Sequence, residues 1–392
     1  MGMIIIQNGE VFGPKALGRR DILTGGGEIL AIAEKIDPKG LPGEVYIIDA
    51  DGMLVIPGFI DGHQHFTGGG GEGGFETRTP EMQLSMNIAN GVTTAIGLLG
   101  TDALTRTVES LYAKTQAFNA EGMTALMLTG SYWLPSPTIL GTVGRDIIYM
   151  GPVIGVKLAM ADQRGPHFNA RELAALASDV RVAALVANKP GIITVHVGVN
   201  PDGLDLMFEV IEKRAIRADM FIPTHINRKK SRVRDQALAL AERGTVIDAT
   251  CVNKIPDEAD NHMSASDFAC LADENKLFDQ VCFSSDAGGS LPQWNQDRSR
   301  ILGMEVGSPK SLLFELKRLV ADKGMDLQKA LRPLTTTPAR IYGLAGKKGV
   351  ITAGAHADIL VLDPDTMEIR DVMAKGQIMI RNKVIKRKGY FE

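Results

Sequence analysis

Eight short apolar runs recur through the middle of the chain: VIPGFI (55–60), TTAIGLLG (93–100), TALMLTGS (124–131), VIGVKLAM (153–160), IITVHVG (192–198), MFIPTHI (220–226), TVIDATC (245–251) and VCFSSD (281–286). Each has the length of a buried strand. Stretches with helical spacing lie between most of them, the clearest at 103–122, 169–189, 202–216 and 233–244. Alternating strand and helix predict a parallel α/β architecture, and eight units fit a (β/α)8 TIM-like barrel. A doubly wound sheet shares the same alternation, so periodicity alone does not separate the two.

The chain ends read differently. Residues 3–12, 26–36 and 44–52 are short strands punctuated by glycine and aspartate, and so are 357–364, 369–376 and 377–382. Two strand-rich ends around an alternating middle predict a small β-domain, a β-sandwich, assembled from both termini. The expected division is 1–55 and 346–392 for that domain and 56–345 for the barrel.

Composition narrows the function classes. Lys and Arg number 43 against 46 acidic residues, a net charge of -3, and no basic block is present, which argues against a nucleic-acid surface. No apolar run reaches the length needed to span a membrane. The first residues read as a strand and lack the charged region and cleavage site of a signal peptide. Cys251, Cys270 and Cys282 fit neither a disulfide framework nor a zinc ribbon, so free thiols and a cytoplasmic setting are expected.

Candidate chemistry gathers at the strand ends, where barrel enzymes build their sites. The first run leads into His63-Gln64-His65. Alternation along a strand points residues i and i+2 to one side, so both imidazoles can reach one ion. His196 and His225 end the fifth and sixth runs, and Asp286 the eighth. The remaining histidines, His167, His262 and His356, fall outside such ends. His and Asp donors suit zinc or manganese, as one ion or two. Lys157 lies inside the fourth run. It is either a buried or snorkelling lysine or, as a carbamate, a bridge between two ions. Asp286 can bind metal and accept a proton, or cap a turn. The glycine-rich loop 68–74 lacks the Lys-Ser/Thr of a phosphate loop. It is either a linker or the carrier that brings Glu72 over the site. Arg164 and Arg228 follow the fourth and sixth runs, and each is either a surface arginine or a fork suited to a carboxylate.

These residues resemble the amidohydrolase superfamily. The resemblance rests on Pro57-Gly-Phe-Ile-Asp-Gly-His63-Gln-His65 together with Lys157, His196, His225 and Asp286. Within it, the chain is similar over nearly its whole length to the isoaspartyl (β-aspartyl) dipeptidase family. The segments are Gly68-Gly-Gly-Gly-Glu72, Gly97-Leu-Leu-Gly-Thr101-Asp, Leu128-Thr-Gly-Ser-Tyr132, Gly155-Val-Lys157, Pro223-Thr-His225-Ile-Asn-Arg228 and Ser284-Ser-Asp286-Ala-Gly-Gly-Ser290.

The resemblance implies a metallopeptidase with two zinc ions. His63 and His65 would hold one, His196 and His225 the other, with N6-carboxylated Lys157 bridging and Asp286 on the first. It implies attack by a zinc-activated bridging hydroxide, with Asp286 and Tyr132 catalytic. Glu72 would take the substrate α-amino group, Thr101 and Ser290 the aspartyl α-carboxylate, and Arg164 and Arg228 the leaving residue's carboxylate. It also implies a homo-oligomer. Departures from the family pattern fall at Trp133-Leu134 and Val199-Asn200 and bear on the leaving residue. The alternative activity is a cyclic amidohydrolase of dihydroorotase or hydantoinase type, which would share the metal centre.

Overall fold

The computed structural model describes residues 2–256, 261–295 and 300–392. Eight parallel strands follow one another around a barrel. They are β1 (Phe59–Gln64), β2 (Val92–Gly97), β3 (Thr124–Gly130), β4 (Val153–Met160), β5 (Ile192–Val197), β6 (Phe221–Thr224), β7 (Ile247–Thr250) and β8 (Val281–Ser284). Neighbours in sequence are neighbours in space, with helices on the connections, which settles the barrel over the doubly wound sheet. The ring closes beside the histidine pair. Gln64 bridges to Ala287, and the His65 N–H donates to the Ala287 carbonyl at 2.7 Å.

Alternation along the strands decides which residues face the lumen. In β4, Val156 and Leu158 enter the core between strands and helices, so Lys157 between them turns inward. Val195 and Val197 place His196 in the same way, and Ile247 and Ala249 place Asp248. Each flanking Val, Leu or Ile side chain gains roughly 1.5–3 kcal/mol on burial, and Ala249 less. A slip of one residue would forfeit that gain and drive a polar group into the apolar layer, so the register is fixed.

Both chain ends form one further sheet. Its order is Glu28–Ala33, Ala16–Gly25, Met3–Phe12, Leu54–Pro57, Ile359–Leu362, Ile369–Ala374, Gln377–Arg381 and Val384–Ile385, with Val45–Asp49 also paired to Met3–Phe12. It has its own core, including Ile6, Val11, Ile22, Ile29, Val55, Ile359 and Val361.

Two details around the barrel differ from the sequence reading. The run at 55–60 is not one strand. Leu54–Pro57 pairs antiparallel with Ile359–Leu362 in the terminal sheet, and the barrel strand starts at Phe59. The break falls at Gly58, where a Cβ would meet Thr93 Oγ1 at 2.3 Å. The second difference is a hairpin, Ser290–Trp294 with Ile301–Val306, which the sequence reading did not identify and which borders the barrel mouth.

Candidate metal centre and substrate pocket

The C-terminal ends of the strands open into a cavity of about 520 Å³. Every site residue expected from the sequence lines it: His63, His65, Lys157, His196, His225 and Asp286, and also Glu72, Thr101, Tyr132, Arg164, Arg228 and Ser290. At its floor, His63 Nε2 lies 3.3 Å from Lys157 Nζ and 3.3 Å from Asp286 Oδ1. His65 Nε2 is 3.1 Å from that same oxygen. The His225 ring stands 5.2 Å from that of His63 and 4.7 Å from that of His196. Donor atoms of His63, His225 and Asp286 fall within 4.8 Å of one another.

Two of these side chains come from backbone in the left-handed region, His225 at φ 62° and Asp286 at φ 51°. Such conformations are uncommon for residues with a Cβ and cost about 1–3 kcal/mol unless the surroundings impose them. Close packing does so at Asp286. Its carbonyl would lie 2.0 Å from any Cβ on residue 307, which Gly307 avoids. The Gly289 N–H donates to that carbonyl at 3.0 Å.

The electrostatics favour a cation. Burial pushes His63 and His225 well below the ordinary imidazole range, and takes His196 down to about 4 despite the carboxylate of Asp162. These three imidazoles are therefore neutral at working pH, the form that binds metal. Burial lowers the Lys157 ammonium to about 7. Burial alone would raise Asp286, but His63, His65 and His225 outweigh it and hold its carboxyl below the usual range. Neutral imidazoles, an ionised carboxylate and a lysine amine free to lose its proton form a donor set that fits divalent metal.

Above this floor lies a polar wall. Glu72 Oε2 accepts from Ser290 Oγ at 3.0 Å, and its Oε1 from Thr101 Oγ1 at 3.3 Å. Arg164 Nη1 stands 3.5 Å from the same Oε1. The Tyr132 hydroxyl lies 2.7 Å from His196 Nδ1, and burial raises its pKa, so it stays a donor. Arg228 donates Nε to the His225 carbonyl at 3.2 Å and Nη2 to the Val197 carbonyl at 2.5 Å.

The glycine loop is tied down. Buried Arg106 donates Nη2 to the carbonyls of Gly69 and Thr79, each at 2.9 Å, and Nη1 to that of Thr67. Thr79 Oγ1 accepts from the Gly69 N–H at 2.6 Å and donates to the Gly288 carbonyl at 2.6 Å. The glycines are required: at Gly70, φ is +77° and a Cβ would meet the Thr77 carbonyl at 2.5 Å. Glu72 thus rides on an anchored loop.

Several contributors escaped the sequence reading. Asp162, just after β4, accepts from His196 and Arg164. Thr250 Oγ1 holds His225 Nδ1 at 2.8 Å. Asp248 sits deep in the lumen, accepting from Thr224 Oγ1 at 2.6 Å and Ser284 Oγ at 2.7 Å. Asp61 accepts the Ser285 N–H at 3.1 Å and the Gln64 amide at 2.8 Å. Asp61 falls inside the histidine motif without a role marked for it, and the other three are single polar residues with no spacing signal.

Comparison with known proteins follows the same lines. Residues 54–379 match the Amidohydrolase family. The fold superposes with a TM-score of 0.93 on the β-aspartyl dipeptidase of Fervidobacterium islandicum AW-1, solved in complex with β-Asp-Leu dipeptide. That protein is 38% identical, with 98% of each chain covered. Among curated proteins, a dihydroorotase of Streptococcus pyogenes is 31% identical over 141 residues, an alignment spanning about a third of its length (32%). A dihydroorotase of Elusimicrobium minutum is 23% identical over 92% of this chain and 88% of its own. Among the described residues, no helix is long and apolar enough to cross a membrane.

Proposed function

The chain belongs to the amidohydrolase family, and we propose that within it the protein is a binuclear zinc dipeptidase that hydrolyses β-aspartyl dipeptides, releasing aspartate and an amino acid. The observation that carries this reading is the position of Glu72. A carboxylate flanked by Ser290, Thr101 and Arg164 at the wall of the cavity suits a substrate bearing both a free amine and carboxylates.

Two zinc ions, one held by His63, His65 and Asp286 and one by His196 and His225 with N6-carboxylated Lys157 between them, would supply an activated water and polarise the scissile carbonyl. The lysine supports this assignment. With its pKa near 7, much of its amine is unprotonated at neutral pH. Its nitrogen can then add to CO2 and release a proton, turning a positive group into an anionic bridge.

The remaining chemistry falls to the protein. Asp286 accepts a proton from the attacking water and delivers it to the departing amine, a role its ionised state permits. Tyr132 donates its O–H to the oxygen that gains charge as the carbonyl becomes tetrahedral. Glu72 receives the α-ammonium group, Thr101 and Ser290 contact the aspartyl α-carboxylate, and Arg164 and Arg228 take the carboxylate of the leaving residue. Selectivity for short zwitterions follows, because a longer peptide would leave buried charges unpaired.

The dihydroorotase relatives favour a second reading, opening of a cyclic amide at the same metal centre. A cyclic imide offers no free amine to Glu72. Incubating zinc-loaded protein with β-Asp-Leu or dihydroorotate separates the two. Release of leucine with dihydroorotate untouched is the expected result, and turnover of dihydroorotate alone would replace this reading with the second.

A further inference from the structure

Asp162 is buried, and each of its carboxylate oxygens is engaged. Oδ2 accepts from His196 Nε2 at 3.0 Å and from Arg164 Nη2 at 2.8 Å. Oδ1 accepts from Arg164 Nε at 3.0 Å and from the Arg164 N–H at 2.8 Å. Its backbone is equally fixed. Ala161 before it has φ 54°, and the Ala161 carbonyl accepts the Asn200 N–H at 2.8 Å. Gly198 leaves room for that carbonyl, which would stand 2.2 Å from a Cβ there.

The histidines are not supported alike. The outer nitrogens of His63 and His65, both Nδ1, have no hydrogen-bond partner among the described residues. His196 donates Nε2–H to a carboxylate. A neutral imidazole protonated on Nε2 keeps its lone pair on Nδ1, the nitrogen that faces Tyr132 and the metal centre. A carboxylate behind a ligating histidine fixes both tautomer and ring orientation. The same carboxylate takes the Nε and Nη2 edge of Arg164, leaving the guanidinium to meet a ligand with its other edge, where Nη1 faces Glu72.

We propose that Asp162 is a positioning residue that couples metal binding at His196 to recognition of the leaving residue's carboxylate by Arg164. This rests on the dipeptidase reading for the identity of the ligand on Arg164, but not for the metal. Without the carboxylate, His196 loses its enforced tautomer and Arg164 swings free, so one change weakens two functions made by different side chains.

The test uses the intact protein and Asp162→Asn, with Asp162→Glu as the conservative rescue. If the amide variant does not fold, Asp162→Ser removes the carboxylate without added bulk. Zinc affinity is read first, by competition with a chromophoric chelator. The expected result is two ions per subunit in the native protein, with one held roughly 10–100-fold more weakly in the variant. Kinetics with β-Asp-Leu at saturating zinc follow. KM should rise at least tenfold while excess zinc restores most of kcat, and Asp162→Glu should recover part of both effects. Unchanged zinc affinity together with unchanged KM overturns the proposal. Loss of stability alone, with zinc affinity and KM intact in the folded fraction, also overturns it. Should the native protein bind two ions yet leave β-Asp-Leu intact, the dipeptidase reading fails while the zinc titration still decides the role of Asp162 toward His196.

Discussion

Glu72 Oε2 accepts a 3.0 Å hydrogen bond from Ser290 Oγ, joining the glycine loop after the first barrel strand to the hairpin after the last. The contact places a carboxylate over the histidine floor, where a substrate ammonium would replace the hydroxyl as its partner.

Glu72→Gln removes that charge and preserves the shape. A charged hydrogen bond contributes about 1.5–3 kcal/mol. The kcat/KM for β-Asp-Leu should therefore fall roughly 10- to 100-fold, with zinc content unchanged. Native protein should discriminate against N-acetylated β-Asp-Leu, and the variant should lose most of that discrimination. An unaltered kcat/KM would remove Glu72 from amine recognition.

Lys157→Ala tests the bridge. Its amine lies 3.3 Å from His63 Nε2 at the centre of the donor cluster. Elemental analysis after dialysis should show zinc lost together with activity. Retention of the full zinc complement would show that Lys157 does not hold the ions.

The lumen below the site makes a prediction about stability. Burial raises Asp248 from 3.8 to about 6, although Thr224 and Ser284 donate to it. Between those values the folded protein binds the proton more tightly than the unfolded chain does. The contribution of this group is therefore most favourable below pH 3.8 and is lost as pH rises through about 6. Above that, the ionised carboxylate costs on the order of 3 kcal/mol. Asp248→Asn keeps an acceptor for both hydroxyls and never ionises. In urea titrations of metal-free protein, the variant should be about 1–3 kcal/mol more stable than the native protein at pH 8. The advantage should shrink at pH 5. A variant less stable at pH 8, or a gain independent of pH, would contradict the assignment.

Much of this was legible in the sequence, for reasons that differ by element. Strands β2 to β8 each show as a short apolar run, because a strand covered on both sides needs no polar face. The polar residues that interrupt or end those runs, Lys157, His196, His225 and Asp286, mark the lumen and mouth. An apolar run does not say which sheet it joins, so 55–60 read as one strand, whereas Leu54–Pro57 and Phe59–Gln64 belong to different sheets. Ala16–Gly25 carries Arg19 and Arg20 in place of clean alternation and gave no strand signal. Asp162, Thr250 and Arg106 act through contacts with residues distant in sequence or with backbone carbonyls, which no local pattern encodes.

Selection of the β-linked aspartyl dipeptide by the pocket is open to a direct test. The direct measurement is the ratio of kcat/KM for β-Asp-Leu to that for α-Asp-Leu with zinc-loaded protein. The β-linked isomer should be cleaved at least a hundredfold faster, the ~2.7 kcal/mol set by leaving one charged group unpaired in the wrong isomer. Equal rates for the two isomers would contradict that selection.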